Sequence, residues 1–316
     1  RGDEQSIRPL KNSSSVLFGS DIVISNFPNQ NQQNLAICSA PNGWLYAAFI
    51  HDSIGMIFPR CKIMRSKDNG YNWSILANLE FPGGITSTQV TKLDILVVGN
   101  NETEQRLIMA DASVLTSNNN IYNMVQVTRW KCDPFAIEAS PLVEVCTPYH
   151  DISLACDYNY PAATSDPHSV GFIYSVTGTK DSIIFRSSGD GGFTFDNHKV
   201  LAVTNKKFRN VSLAYGRSST QNTGRYFAVW EEFADTSDRM GHIYTAHSNP
   251  NYNSPFITPI KLDGLDPSLS NFCRNPVIAC QMNNLDNDSI DLSTVVLFEK
   301  YNPWSNENDI VGFYNM

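Results

Sequence analysis

A four-residue apolar run returns at even intervals along this chain, and the interval constrains the fold more than any other feature. Leu35-Ala36-Ile37-Cys38, Ser153-Leu154-Ala155-Cys156 and Val277-Ile278-Ala279-Cys280 are near copies. Ser212-Leu213-Ala214-Tyr215 is a fourth version and Asp94-Ile95-Leu96-Val97 a fifth. Their last positions, 38, 97, 156, 215 and 280, are separated by 59, 59, 59 and 65 residues. Such a unit holds one four-stranded antiparallel sheet with its loops, and sheets repeated around an axis make a propeller. No stretch carries helical periodicity of useful length. The expected fold is all-β: a single β-propeller over residues 1–316, with five blades or, as the alternative, six. Residues 1–19 read as an extension. The repeats start near 35, 94, 152, 211 and 277. The fifth lacks a fourth strand, and residues 20–25, with Ile22-Val23-Ile24, are expected to supply it and close the ring, since an open blade leaves a sticky edge. Trp130–Tyr149 reads as the longest connection, a loop over one face.

Two turns support the same plan. Ser66-Lys67-Asp68-Asn69-Gly70-Tyr71-Asn72-Trp73 and Ser188-Gly189-Asp190-Gly191-Gly192-Phe193-Thr194-Phe195 share the pattern Ser-x-Asp-x-Gly-x-x-aromatic. The carboxylate accepts backbone N–H groups, the glycine supplies a positive φ, and Trp73 or Phe195 folds back over the turn. Each follows a strand-like run, Lys62-Ile63-Met64 or Ile183-Ile184-Phe185. These turns resemble the Asp-box, or BNR repeat, of sialidase-like β-propellers. In that family the box is a structural turn away from the ligand site.

Composition narrows the partners. The formal net charge of −8 argues against nucleic acid or an anionic membrane. No apolar run reaches the length of a membrane span. Asn-x-Ser/Thr sequons at Asn12, Asn72, Asn101, Asn210 and Asn287 favour a secreted or cell-surface setting. Arg1-Gly2-Asp3 reads as chance at a processed terminus. Of the seven cysteines, Cys38, Cys156 and Cys280 are expected at one equivalent place in the innermost strands, packed as small apolar groups. Cys132 with Cys146, and Cys61 with Cys273, are candidate disulfides.

The entrances of the innermost strands are expected to converge on one mouth of the axis. Gln33, Lys92, His150, Asp151, Arg209 and Arg274 form the candidate ligand ring there, with Trp304 as a sugar platform. Phe208-Arg209-Asn210-Val211 and Cys273-Arg274-Asn275-Pro276 resemble the Phe/Tyr-Arg-Ile-Pro segment of sialidases. There, three arginines at strand entrances grip a substrate carboxylate, and the resemblance implies that Arg209 and Arg274 hold an acidic group. The first blade has Gln33-Asn34-Leu35 at the corresponding place. A hydrolase on this plan needs an acid and an activated tyrosine; Asp52, Glu231, Glu232, Tyr149 and Tyr301 are the candidates. The acidic stretch Glu231–Asp238 is the one candidate for Ca²⁺, but it lacks the ordered ligand spacing of calcium loops. No cofactor or metal is therefore expected. Three readings follow: a monomeric binding module for a glycan or a surface protein; alternatively, a glycoside hydrolase or polysaccharide lyase acting on acidic sugars; third, an adhesin or spacer domain.

Overall fold

The computed structural model describes residue 24 and residues 30–53, 60–80, 87–117, 120–146, 149–157, 169–196, 198–217, 224–233, 241–249, 255–263, 273–281, 293–302 and 307–314. Every element among them is a β-strand, gathered into five antiparallel sheets in chain order. The first sheet holds β1 (Gln30–Ser39), β2 (Leu45–Ser53), β3 (Arg60–Ser66) and β4 (Ser74–Glu80). The second holds β5 (Ser87–Val98), β6 (Arg106–Ser117), β7 (Asn120–Cys132) and β8 (Phe135–Cys146). The third holds β9 (Tyr149–Cys156), β10 (Val170–Val176), β11 (Asp181–Ser188) and β12 (Lys199–Thr204). The fourth holds β13 (Lys207–Arg217), β14 (Gly224–Phe233), β15 (Gly241–His247) and the two-residue β16 (Ile260–Lys261). The fifth has three strands, β17 (Cys273–Gln281), β18 (Ser293–Asn302) and β19 (Glu307–Tyr314).

The sheets stack face to face as in a propeller, and a separate apolar core fills each junction. Ile63 and Tyr46 meet Ile95 and Leu107 between the first two. Leu96 and Ile108 meet Phe172 and Tyr174 at the next. Phe185 meets Tyr226 and Trp230 at the third, and Val229 meets Val296 and Phe298 at the fourth. Each fully buried side chain of this size contributes roughly 1.5–3 kcal/mol of transfer free energy. This stacking explains the repeated apolar runs. The first strand of a middle sheet is buried on both faces, so its sequence does not alternate: Leu93, Ile95 and Val97 face the previous sheet, while Leu96 and Val98 face the next.

Adjacent inner strands belong to different sheets, so no backbone ladder joins them. Side chains take over that role. Asp94 accepts the N–H of Leu154 at 2.7 Å, Ser153 that of Leu213 at 3.2 Å, and Ser212 that of Ile278 at 3.3 Å. Each clip satisfies a backbone donor that would otherwise lie beside an apolar core.

Several expectations need correction. Inner strands pack in the order β1, β5, β9, β13, β17, and no comparable packing joins β17 to β1. The ring is therefore not closed among the described residues. The closing strand expected at 20–25 lies outside them except for Ile24, which packs on Ala47, Phe49 and Met64, the far face of the first sheet. The loop expected at Trp130–Tyr149 is the fourth strand of the second sheet, reached by a two-residue turn at Asp133-Pro134. Pro141 fits there because an outermost strand has a free edge. The proposed disulfides are absent for the described thiols. Cys61 lies in the first core and Cys273 in the fourth, so the two do not meet, and Cys61 and Cys132 carry free thiols; the side chain of Cys146 lies outside the described residues. Cys38 is not equivalent to the other two repeat cysteines. It faces the following sheet, whereas Cys156 and Cys280 face the preceding one. Counted from the irregularity near the start of each strand, Cys38 stands at the place of Ala279, one before Cys280, and successive strand residues point to opposite faces.

Candidate functional site

A β-bulge recurs near the start of the inner strands. It lies between Gln33 and Ala36 in β1, Arg209 and Ser212 in β13, and Arg274 and Val277 in β17. Each bulge holds an asparagine with a left-handed backbone: Asn34, Asn210 and Asn275, at φ 54°, 52° and 54°. All three stand at the entrances of inner strands, on the mouth of the axis. The two Ser-x-Asp-x-Gly turns join β3 to β4 and β11 to β12 at the opposite end. There Ser66 and Ser188 each accept the N–H of a glycine four residues on, Gly70 or Gly192, at 2.8 Å. Asp68 accepts from the Asn72 N–H at 2.8 Å, and Asp190 from the Phe193 and Thr194 N–H groups at 2.9 Å. Trp73 donates to the Gly70 carbonyl at 2.9 Å.

At the mouth, cations and carboxylates meet in pairs. Arg209 gives Nε at 3.0 Å and Nη2 at 2.8 Å to one oxygen of Glu231, which lies opposite it on β14. The Arg209 guanidinium also stacks on the Phe233 ring, 3.9 Å from its centroid. The other Glu231 oxygen accepts Asn210 Nδ2 at 2.9 Å and the Asn275 N–H at 3.2 Å. Glu231 is fully buried, and four donors match a carboxylate's four lone-pair sites. β15 passes so close that a Cβ on Gly241 would come within 2.6 Å of it, which requires glycine there. Arg274 Nε pairs with Glu299 at 2.9 Å, and Lys92 with Asp151 at 3.2 Å. Asp151 also accepts the Val211 N–H at 3.1 Å, tying the second, third and fourth sheets together.

The carboxylates differ in acidity. Burial pushes Asp94 up to about 6, partly offset by the N–H groups of Leu154 and Ile95. Burial also raises Asp151, against the opposing pull of Lys92. Glu299 is held below its ordinary range, first by the Asn275 amide and then by Arg274.

The structure thus brings Lys92, Asp151, Arg209, Glu231 and Arg274 to one end of the axis, with Gln33 exposed on β1. Glu232 points away and pairs with Lys206 at 2.8 Å. Tyr301 lies two residues beyond Glu299 on β18, hence on the same face. Tyr149, His150 and Asp52 belong to β9 and β2, but their side chains lie outside the described residues, as does Trp304. Of the Ca²⁺ stretch, Glu231 and Glu232 are held by Arg209 and Lys206, and residues 234–238 lie outside. Sequence reasoning gave no role to Asp94 or Asn34, and placed Asn210 and Asn275 at the strand entrances without a role of their own. The available signals were an Asp where the other repeats begin with Leu, Ser or Val, and the dipeptides Gln-Asn, Arg-Asn and Arg-Asn at three strand entrances.

No protein-family model matches the chain, and no curated protein matches it significantly. Solved structures share the fold. An alpha-L-arabinanase from Penicillium chrysogenum, complexed with arabinobiose, aligns at TM-score 0.55 and 14% identity, over 92% of this chain and 82% of that one. The GH93 alpha-L-arabinofuranosidase of Fusarium graminearum aligns at TM-score 0.55 and 11% identity, over 92% and 84%. The NanB sialidase of Streptococcus pneumoniae is a weaker likeness, at TM-score 0.44 and 15% identity, over 81% and 35%. At these identities the likeness is one of fold: an all-β, propeller-like plan with glycosidases among its neighbours.

Proposed function

We propose that the chain is a glycoside hydrolase whose active site is the axial mouth, and that its substrate is an uncharged sugar. The observation that carries this reading is the difference in acidity between a buried carboxyl on an inner strand and a carboxylate at the mouth. Asp94 is raised to about 6 and Glu299 is lowered. Glycoside hydrolysis needs one carboxyl that holds a proton and one that does not, and unequal environments supply both. In this reading Asp94 protonates the leaving glycosidic oxygen as its bond to the anomeric carbon breaks. Glu299, ionised, takes a proton from the attacking water or attacks the anomeric carbon itself.

The pairing of charges supports an uncharged substrate. Lys92, Arg209 and Arg274 each already hold a carboxylate. A substrate acid would have to displace the fully buried Glu231 or the partly buried Glu299, leaving that carboxylate without its partner. The arabinose-directed names of the two fold neighbours are consistent with this preference. The extracellular setting favoured by the sequons belongs to the same proposal.

The test is turnover of a panel of neutral furanosides, neutral pyranosides and sialosides near pH 5. Neutral glycosides are expected to be cleaved, and Glu299→Gln or Asp94→Asn to lower kcat by about 10²–10⁴. Preferential cleavage of sialosides would reverse the substrate class. Silence across the panel would overturn the hydrolase reading and leave a binding module.

A further inference from the structure

The three left-handed asparagines at the mouth are not equivalent in what their amides do. A left-handed backbone disfavours most residues; glycine adopts it freely and asparagine next most readily. Asparagine adds a side-chain amide. Asn34 Nδ2 reaches forward to the Val90 carbonyl of the next sheet at 2.7 Å. Asn210 Nδ2 also reaches forward, to Asn275 Oδ1 at 2.8 Å. Asn275 has no following inner strand packed against it among the described residues. Its Nδ2 turns back across its own sheet to Glu299 Oε1 at 2.9 Å.

The geometry points to Asn275 as a positioning residue. Its amide fixes the direction of the Glu299 carboxylate and, through Asn210, ties that carboxylate to the buried Glu231 of the neighbouring sheet. Arg274 holds the other Glu299 oxygen at 2.9 Å, so each oxygen of the carboxylate is gripped by one donor. Arg274 is the charged group acting on Glu299 among the described residues; Glu231 reaches it only through the two asparagines. The bare alternative is that asparagine stands at 275 for its backbone alone. The consequence for turnover rests on the hydrolase reading; the geometry does not.

Asn275→Gly separates the two roles. Glycine keeps the left-handed backbone and removes the amide. The measurement is a 13C-glutamate NMR titration of the full chain, with Glu299→Gln identifying the Glu299 signal. The expected result is an upward shift of the Glu299 midpoint with the urea midpoint nearly unchanged. Asn275→Asp keeps the side-chain shape, replaces the donor by a negative charge, and should move Glu299 further in the same direction. It also serves should the glycine variant fail to fold. On a cleaved glycoside, Asn275→Gly should lower kcat roughly tenfold to a hundredfold with KM little changed, and the acidic limb of the pH profile should move up. A Glu299 midpoint that stays put in both variants overturns the proposal. If the wild type cleaves nothing, the hydrolase reading falls and the titration still decides the role of Asn275.

Discussion

The inner strands of the second, third and fourth sheets differ from those of the first and fifth in one respect: neighbours on both sides. Leu96, Ala155 and Ala214, which face the following sheet, are 1%, 5% and 9% exposed. Leu35 and Ile37 on β1, and Val277 on β17, are 60%, 55% and 55% exposed. All are apolar residues at closely related places in the repeat. Burial here is a property of the stack and not of the strand, so composition alone cannot separate the two groups. The polar residues separate them better. Asp94, Ser153 and Ser212 clip onto a following strand, and Val277, with no strand to follow, has no acceptor to offer.

This contrast has a large energetic signature. Ile95→Ala, in the first core, is expected to lower unfolding free energy by about 2–5 kcal/mol. Leu35→Ala should change it by less than about 0.5 kcal/mol. Urea denaturation of both variants checks this, and equal losses would mean that Leu35 is covered in solution. A middling effect is expected for the clips. Ser212→Ala leaves the Ile278 N–H without its acceptor, for a loss of about 1–3 kcal/mol. Amide exchange at Ile278 should quicken; protection equal to the wild type would show that another group takes over.

The smallest effects are in pH dependence, and they have opposite signs in the two regions. Asp111, fully buried in the second sheet and bonded by Gln126 and Ser113, is pushed by burial from 3.8 up to about 6. The fold favours its protonated form, so this contribution is present below pH 3.8 and is lost as pH rises from there to about 6. Glu299 in the last sheet is lowered from 4.5, so its contribution is present above pH 4.5 and is lost as pH falls below its folded value. Asp111→Asn should therefore flatten a fall in stability with rising pH, and Glu299→Gln should flatten a rise. Thermal melts from pH 3 to 7 distinguish the two.

The repeat was legible because strands buried on both faces read as short unbroken apolar runs, and Ile152–Cys156 stands out from its surroundings for that reason. β8 was not, since its one-sided burial gives an alternating pattern interrupted by Pro141, which resembles a loop. At the site, Arg209 and Arg274 stood out as charges at strand entrances. Glu231 stood out only as a candidate acid, and neither it nor Glu299 was read as an arginine's partner, because they lie 22 and 25 residues away and face the arginines only through the strand register. The extra residue of a bulge leaves no trace in a repeat counted by apolar runs alone.

The side-chain clips between inner strands span 60, 60 and 66 residues. The third keeps the same kind of bond although its repeat is six residues longer than the others. Alignment between neighbouring sheets is thus set at the axis, by one side chain and one amide, and is indifferent to how much chain is spooled between them. Loops can lengthen, shorten or change composition without shifting the wall that carries Asp94, Asp151 and Glu231. A scaffold of that kind can vary what surrounds its opening while its inner geometry stays still.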